Sequence, residues 1–257
     1  MMKYSACIEW LFAEESPDFA NRIRLAKEAG LGAVEFWKWT EKDIPAVEKA
    51  LAETKLALSS LVAEPMIPLT DPANHDAFLI GLRASAHMAN RLGAKVLIAQ
   101  AGDDLPGHTR AEQHQALVDC MTQAADVLAG TGVVLGLEPL NTLIDHKGYF
   151  LHSTVEGLDI IDEVNRPEIR IVYDIYHSLV MGEETAKVLN GRIDRVAHVH
   201  VADHPGRNEP GSGTLELSKS LNWLFDNGYD GFIGLEYRPT AGTKSSLETT
   251  FRALGSR

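Results

Sequence analysis

The chain has 257 residues, of which 45% are hydrophobic and 23% are charged, as is ordinary for a globular protein. Its formal net charge of -12 argues against a nucleic-acid partner, because contacts to phosphates need clustered Lys and Arg side chains. The segment MMKYSACIEWLF is too short and too acidic for a signal peptide, and no apolar run approaches the length of a membrane span, so no membrane partner is expected.

The chain is expected to form one domain over residues 1–257, since no linker-like or low-complexity segment divides it. Its two cysteines, Cys7 and Cys120, lie far apart in the sequence and outside any CxxC motif. Two reduced thiols that pack in the interior are therefore expected. This use of cysteine favours a cytoplasmic protein.

Eight short apolar segments predict β-strands, and they alternate with amphipathic segments that predict helices. The predicted strands cover residues 3–10, 32–39, 57–64, 95–102, 133–140, 169–177, 196–203 and 232–239. Several of these segments are continuously hydrophobic, as are strands that are covered on both faces. The predicted helices cover residues 17–29, 73–92, 111–129, 153–164, 217–227 and 244–254, with another near 180–190, and a glycine follows each of the first three.

Eight strand–helix units in a chain of this length predict a (β/α)8 TIM barrel, whose usual size is about 250 residues. The alternative is a doubly wound open sheet. That fold usually has a glycine-rich phosphate-binding turn after its first strand, whereas EWLFAEESP follows the first strand here. The barrel is therefore the predicted fold.

Four consecutive predicted strands, the fifth to the eighth, end in side chains that bind metals or move protons. The strand ends are LGLEPLN with Glu138, VYDIYH with Asp174 and His177, HVHVADH with His200, and GLEYRP with Glu236. Active sites of these barrels lie at the carboxyl ends of the strands. Three converging carboxylates repel one another unless a cation joins them, and with one imidazole and no thiolate they suit Mn²⁺, Mg²⁺ or Co²⁺. The alternative is that each residue forms its own local ion pair or caps the following helix.

The motifs LEPLN, YDIYH, HVHVADHPGRNEPGSG and GLEYRP resemble those of the xylose-isomerase-like barrel superfamily, and within it those of the hydroxypyruvate isomerase family. The ketose 3-epimerases are related to that family. The likeness covers nearly the whole chain, including WLF near the start and EAGLGAVEF at the second strand. The resemblance implies that Glu138 and Glu236 bind the metal and move protons, and that Asp174 and His200 complete the metal ligands. It further implies that His177 and Arg207 bind the substrate.

The resemblance implies an isomerase that interconverts a small 2-keto hydroxy acid and its aldehyde isomer through an enediolate, as for hydroxypyruvate and tartronate semialdehyde. A ketose 3-epimerase, or another isomerase of sugars or 2-oxo sugar acids, is the first alternative. The segment NTLIDHKGYF weakens the epimerase alternative, because it lacks the glutamate that those enzymes usually have there. A homo-oligomer is compatible with the resemblance, since dimers or tetramers are usual in such families.

Three other functions are weighed against this one. A non-catalytic sugar-binding barrel would use the same glutamates as hydrogen-bond acceptors only. A phosphosugar enzyme would bind phosphate at the PGSG segment, which follows the seventh strand where barrels often do so. A DNA-repair endonuclease shares the superfamily fold but needs a larger His/Asp cluster and a basic surface, which the charge of -12 opposes.

Cationic side chains near these motifs suit a substrate carboxylate. Arg207 offers a bidentate fork, and Lys38 and Arg238 are further candidates. The alternative for Arg207 is an ion pair with Glu209 or Asp203 that braces the loop.

Several residues near the motifs are assigned to packing or left open. His198 is expected to be a core histidine and His204 a loop residue. Glu216 stands two residues after Thr214, whereas relatives of this type often have an acid directly after the Gly-x-Gly. The roles of Glu216, Trp10, Trp37 and Trp39 stay open, with the tryptophans either lining the pocket or packing between barrel and helices.

Overall fold

Residues 2–255 are described by a computed structural model, in which eight parallel strands close into a barrel in chain order. The strands are β1 (Lys3–Cys7), β2 (Ala33–Phe36), β3 (Ala57–Val62), β4 (Val96–Gln100), β5 (Val134–Glu138), β6 (Ile169–Asp174), β7 (Val196–Val201) and β8 (Phe232–Leu235). Pairing of β8 with β1 closes the ring. This confirms the predicted barrel and excludes the open sheet. Met1, Ser256 and Arg257 of the predicted domain lie outside the described residues.

Nine α-helices lie between and after the strands within residues 2–255. They are α1 (Phe19–Glu28), α2 (Ile44–Thr54), α3 (His75–Leu92), α4 (Arg110–Leu128), α5 (Thr154–Val164), α6 (Ile175–Val180), α7 (Thr185–Val188), α8 (Leu217–Asp226) and α9 (Thr243–Leu254). The predicted helix near residues 180–190 is thus replaced by two short helices, α6 and α7. No helix of the described chain is long and apolar enough to cross a membrane.

The sixth strand is shorter than predicted, because helix α6 begins directly after Asp174. The Asp174 carboxylate accepts a hydrogen bond from the backbone N–H of His177 and so caps the helix. His177 therefore lies in the first turn of α6 and not at the end of the strand. Asp174 alone ends β6 at the rim of the barrel.

Helix α2 is missing from the predicted helices, and its C-terminus shows why. The Asp43 side chain caps its first turn, where Pro45 also stands. The helix ends at Lys55, which adopts the left-handed conformation with φ 60°. Glycine is the residue that usually takes this position, so the Gly-based pattern that marked other helix ends did not reveal this one.

The core lies in two places, between the helices and the barrel and inside the barrel. Ile23 of α1, Leu82 of α3 and Leu117 of α4 are fully buried against the outer face of the barrel. Cys7 and Cys120 are buried free thiols, as predicted, and burial raises the pKa of Cys120 to about 12. The inside of the barrel is partly polar, since Glu35 and His198 are both buried there.

Candidate active site

The structure brings together the four residues that the sequence singled out as metal ligands. Glu138 ends β5, Asp174 ends β6, His200 lies in β7, and Glu236 directly follows β8. Each offers one ligand atom, and these atoms all lie within 4.8 Å of one another. All four side chains are buried. We call these four residues the rim cluster.

The electrostatics of the rim cluster reflect the crowding of its carboxylates. Burial and the neighbouring Glu138 and Glu236 raise the pKa of Asp174 to about 7, although the cationic groups of Arg207 and His200 oppose the rise. The His200 ring lies between carboxylates, with Nδ1 3.0 Å from Oε1 of Glu138 and 3.7 Å from Oε2 of Glu236. These neighbours hold the pKa of His200 well above its usual range despite burial.

Arg207 contacts two of these carboxylates. Its Nη2 contacts Glu236 Oε2 and lies 3.6 Å from Oδ2 of Asp174. The guanidinium carbon lies 5.0 Å from the centroid of the Trp10 ring and 5.5 Å from that of Tyr176. Arg207 therefore reaches the rim cluster.

The loop that carries Arg207 is shaped by two buried carboxylates. Asp203 accepts hydrogen bonds from the backbone N–H groups of His204, Gly211, Gly213 and Leu215. Glu209 accepts from the backbone and side chain of Thr240. Neither carboxylate pairs with Arg207, so the predicted alternative of a loop-bracing ion pair is wrong. Asp203 thus engages the N–H groups of Gly211 and Gly213 of the PGSG segment, and the N–H of Ser212 donates to the backbone oxygen of Glu209, so these groups are not free to bind a phosphate.

The carboxylates of Glu236 and Glu138 differ in their hydrogen-bond partners. Trp37 donates its indole N–H to Oε1 of Glu236 over 2.8 Å, while Arg207 contacts the other oxygen. Glu138 has one partner for its carboxylate among the described residues, the His200 ring at Oε1. Trp37 is thus a site residue whose role the sequence left open, and its partner lies 199 residues away in the chain.

A cavity of about 310 Å³ opens above the rim cluster. Its walls combine aromatic, aliphatic and charged side chains: Trp10, Trp37, Val62, Met66, Gln100, Glu138, Leu140, Asp145, His146, Arg207, Glu236 and Arg238. The volume is at the lower end of the range of ordinary ligand sites. Asp145 and His146 were not predicted, because they lie in an irregular loop whose position no local pattern fixes.

His177 lies beside the rim cluster and is not among the residues that line the cavity. Its Nδ1 accepts hydrogen bonds from the backbone N–H and the side-chain amide of Asn141. The proton therefore lies on Nε2, which is 3.5 Å from Oδ2 of Asp174. The predicted substrate contact of His177 stays a prediction.

The remaining candidates lie outside the cavity. Lys38 pairs with the exposed Glu41 at 3.0 Å, and Trp39 donates its indole N–H to Ser85. Glu216 is exposed at the start of α8. His198 is a core histidine, as predicted, with Nε2 2.9 Å from the Glu35 carboxylate.

The fold and the rim cluster define a (β/α)8 barrel with three carboxylates and one imidazole at the carboxyl ends of its strands. A family model described as xylose isomerase-like TIM barrel matches residues 23–253. The chain is 30% identical to the hydroxypyruvate isomerase of Escherichia coli (strain K12), over 96% of this chain and 97% of the relative. The chain therefore belongs to the xylose isomerase-like TIM barrel family, in the group that includes the hydroxypyruvate isomerases, as the motifs predicted.

Two further proteins are similar to this chain. The chain is 28% identical to the 2-oxo-tetronate isomerase of Cupriavidus necator, over 96% of each protein. A solved structure described as AP endonuclease, family 2, from Brucella melitensis has a TM-score of 0.89 and 29% identity, and covers 96% of this chain and 97% of its own. Both curated relatives are isomerases, and the predicted class of enzyme is confirmed at that level.

Proposed function

We propose that this protein is a metal-dependent isomerase that interconverts a small 2-keto hydroxy acid and its aldehyde isomer, of the hydroxypyruvate and tartronate semialdehyde type. The observation that carries the proposal is the convergence of Glu138 and Glu236 with Asp174 and His200 beneath a small cavity. The relatives named hydroxypyruvate isomerase and 2-oxo-tetronate isomerase support it. We further propose a cytoplasmic enzyme, which the two free thiols favour.

The residues of the rim cluster fit a divalent cation that prefers oxygen ligands. Three carboxylates and one imidazole, with their ligand atoms within 4.8 Å of one another, form a donor set suited to Mn²⁺, Mg²⁺ or Co²⁺. Burial, together with the neighbouring Glu138 and Glu236, raises the pKa of Asp174 although Arg207 and His200 lower it, and a bound cation would favour the charged carboxylate. When bound, such an ion supplies Lewis acidity that polarises a substrate carbonyl.

Glu138 and Glu236 are the proposed acid–base pair. Strands β5 and β8 are three apart in the ring of eight, so the two carboxylates face a small substrate from different sides. One glutamate removes the proton from the carbon next to the carbonyl, which gives the enediolate. A carboxylate then returns the proton to the former carbonyl carbon, and the proton of the adjacent hydroxyl passes to the former carbonyl oxygen, so the carbonyl has moved by one position.

A substrate carboxylate would be recognised by two arginines. The guanidinium carbons of Arg207 and Arg238 each lie 5.0 Å from the centroid of the Trp10 ring, and both residues line the cavity. Arg207 already contacts Glu236 and Asp174, whereas Arg238 has no ion pair among residues 2–255. Arg238 is therefore available to form a charge-assisted hydrogen bond with an acid substrate.

Deuterium exchange in the presence of Mn²⁺ tests the proposed reaction. Incubation of the protein with hydroxypyruvate and a panel of ketoses in D₂O is expected to place deuterium on the carbon next to the carbonyl of the acid. Formation of tartronate semialdehyde identifies the isomerase, and inversion at C3 of a ketose identifies the epimerase alternative. A complete lack of exchange with every substrate would contradict both and favour a sugar-binding barrel.

Replacement of Arg238 by Gln is expected to raise KM for a 2-keto acid by about 10-fold or more, because one charge-assisted hydrogen bond contributes about 1.5–3 kcal/mol. Initial rates at several acid concentrations measure this effect. Lys38→Gln is the matched control, since Lys38 pairs with an exposed glutamate and should leave KM unchanged. An unchanged KM in the Arg238 variant would show that the carboxylate binds elsewhere.

Replacement of Trp37 by Phe is expected to lower kcat by about 10-fold, because the hydrogen bond to Oε1 of Glu236 is lost while an aromatic ring is kept. Steady-state kinetics measure kcat and KM separately. Trp39→Phe removes the corresponding bond to Ser85 outside the cavity and serves as the control. Equal kcat values in both variants would mean that Trp37 only packs.

A further inference from the structure

A second group of buried polar residues lies inside the barrel beside the rim cluster. At its centre is Glu35 of β2, whose side chain is 3% exposed. Its Oε2 accepts a hydrogen bond from the hydroxyl of Ser59 and lies 2.9 Å from Nε2 of His198. The Ser59 hydroxyl is in turn 2.6 Å from that of Ser5. The proposed acid–base chemistry makes no use of this carboxylate.

The other oxygen of Glu35 faces the metal-binding histidine. Oε1 lies 3.2 Å from Nε2 of His200. Both atoms are buried, and neither has an aligned hydrogen bond to another group in the described chain. A buried polar atom without a hydrogen-bond partner costs free energy. Each of these two atoms lies within reach of the other, so we treat them as partners.

His200 thus has carboxylates on both sides of its ring. Nδ1 is 3.0 Å from Oε1 of Glu138 in the rim cluster, and Nε2 points to Glu35. A histidine binds a metal through a nitrogen without a proton, so the proton must reside on the other nitrogen. An acceptor next to Nε2 keeps the proton there and leaves Nδ1 free to bind.

Gly234 of β8 makes room for this contact. It pairs with His200 in the barrel register. A Cβ atom at this position would lie 2.4 Å from Oε1 of Glu35 and 2.5 Å from Cδ2 of His200. Any side chain here would therefore separate the carboxylate from the imidazole or displace both.

We propose that Glu35 is a positioning residue for the metal centre: its carboxylate, anchored by Ser59 and His198, fixes the His200 ring so that Nδ1 binds the ion. This inference rests on the metal site of the proposed function. It goes beyond that function, because it assigns a role to a residue outside the rim cluster.

Mn²⁺ binding by the full chain tests this role without any measurement of activity. Free Mn²⁺ is followed by electron paramagnetic resonance during titration of the wild type and of Glu35→Gln. The variant is expected to bind Mn²⁺ about 10- to 100-fold more weakly, as is typical when the outer partner of a metal-bound histidine is mutated, because a neutral amide oxygen is a weaker acceptor for the Nε2 proton than a carboxylate. Glu156→Gln is the control, since it makes the same chemical change at a carboxylate that pairs with Arg110 and His114 on the outer helices, and it should bind Mn²⁺ nearly as the wild type does.

Electron spin echo modulation of bound Mn²⁺ provides a spectroscopic signature. The wild type should show coupling to a coordinating nitrogen, His200→Ala should lack it, and Glu35→Gln should show it weakened. Glu35→Asp keeps every ligand and the negative charge but withdraws the carboxylate from Nε2 of His200, and it should reproduce the weaker binding. This variant also keeps the inference testable where Glu35→Gln does not fold.

The outcomes separate this inference from the proposed function. Tight binding by the wild type, with equally tight binding by Glu35→Gln or an equal loss in Glu156→Gln, would overturn the positioning role and leave the metal site intact. A second Mn²⁺ ion per chain that is lost in Glu35→Gln would make Glu35 a ligand and overturn the positioning role as well. A wild type that binds no Mn²⁺ would overturn the metal site, and the inference with it.

Discussion

Replacement of Glu138 or Glu236 by Gln is expected to lower kcat for the isomerisation of a 2-keto hydroxy acid by about 10²–10⁴-fold, the usual contribution of one acid or base. Gln keeps the size of the side chain and can still accept a hydrogen bond, but it cannot take up the proton of the reacting carbon. Deuterium incorporation in D₂O should fall in parallel with the rate, because the same carboxylates remove and return the proton. Initial rates and proton exchange by nuclear magnetic resonance measure the two effects.

An exposed glutamate serves as the matched control for these variants. Glu216→Gln makes the same chemical change at the start of α8, outside the cavity, and should leave kcat and exchange unchanged. Thermal melting of each variant shows whether it is folded. Exchange that persists at the wild-type rate in Glu138→Gln and Glu236→Gln would contradict the proposed mechanism, whatever the identity of the substrate.

The rim cluster could be predicted from the sequence because its geometry follows from the fold. Parallel strands of a barrel end at one rim, so polar residues at the ends of the fifth to eighth strands had to converge. Glu138, Asp174, His200 and Glu236 do so in the structure. The strand pattern and the residue types predicted the convergence, and the resemblance to the hydroxypyruvate isomerases implied which of these residues bind the metal.

The residues that support the rim cluster could not be found in this way. Glu35 stands within the strand segment AVEF. A single polar residue in an apolar strand does not by itself indicate a functional role. The contact of Glu35 with His198 joins residues 163 positions apart, and depends on which strands face each other across the barrel. Trp37 was ambiguous for the same reason. Its indole could be assigned to Glu236 only when the directions of both side chains were known.

The hydrogen bonds within the loops could not be predicted from the sequence either. The glycines and prolines of the segment ADHPGRNEPGSG are typical of a loop. The sequence did not show that Asp203 would bind the N–H groups of Gly211 and Gly213. These two hydrogen bonds remove the phosphate site that the PGSG segment had suggested, and with it the basis of the phosphosugar alternative. They also explain why Arg207 pairs with Glu236 and not with the acids of its own loop.

Removal of the metal is expected to abolish isomerisation and to lower the melting temperature. Binding to the folded chain alone stabilises it by about 2.7 kcal/mol at an ion concentration of 100 times Kd. For a domain of this size, each kcal/mol shifts Tm by about 2–4 °C, so loading should raise Tm by about 5–10 °C. Treatment with a chelator should abolish activity and lower Tm. Addition of Mn²⁺, Mg²⁺ or Co²⁺ should then restore both.

Asp174→Asn distinguishes a specific metal effect from a general effect of divalent ions. The side-chain amide of this variant offers a neutral oxygen in place of a carboxylate, so the ion should bind more weakly and raise Tm less. The change also removes one of the crowded carboxylates from the site, so the metal-free variant should melt no lower than the metal-free wild type. Elemental analysis confirms that the chelated protein has lost its metal. Full activity of a metal-free wild type would contradict the assignment of the rim cluster as a metal site, because the carboxylates would then catalyse the proton transfer without an ion.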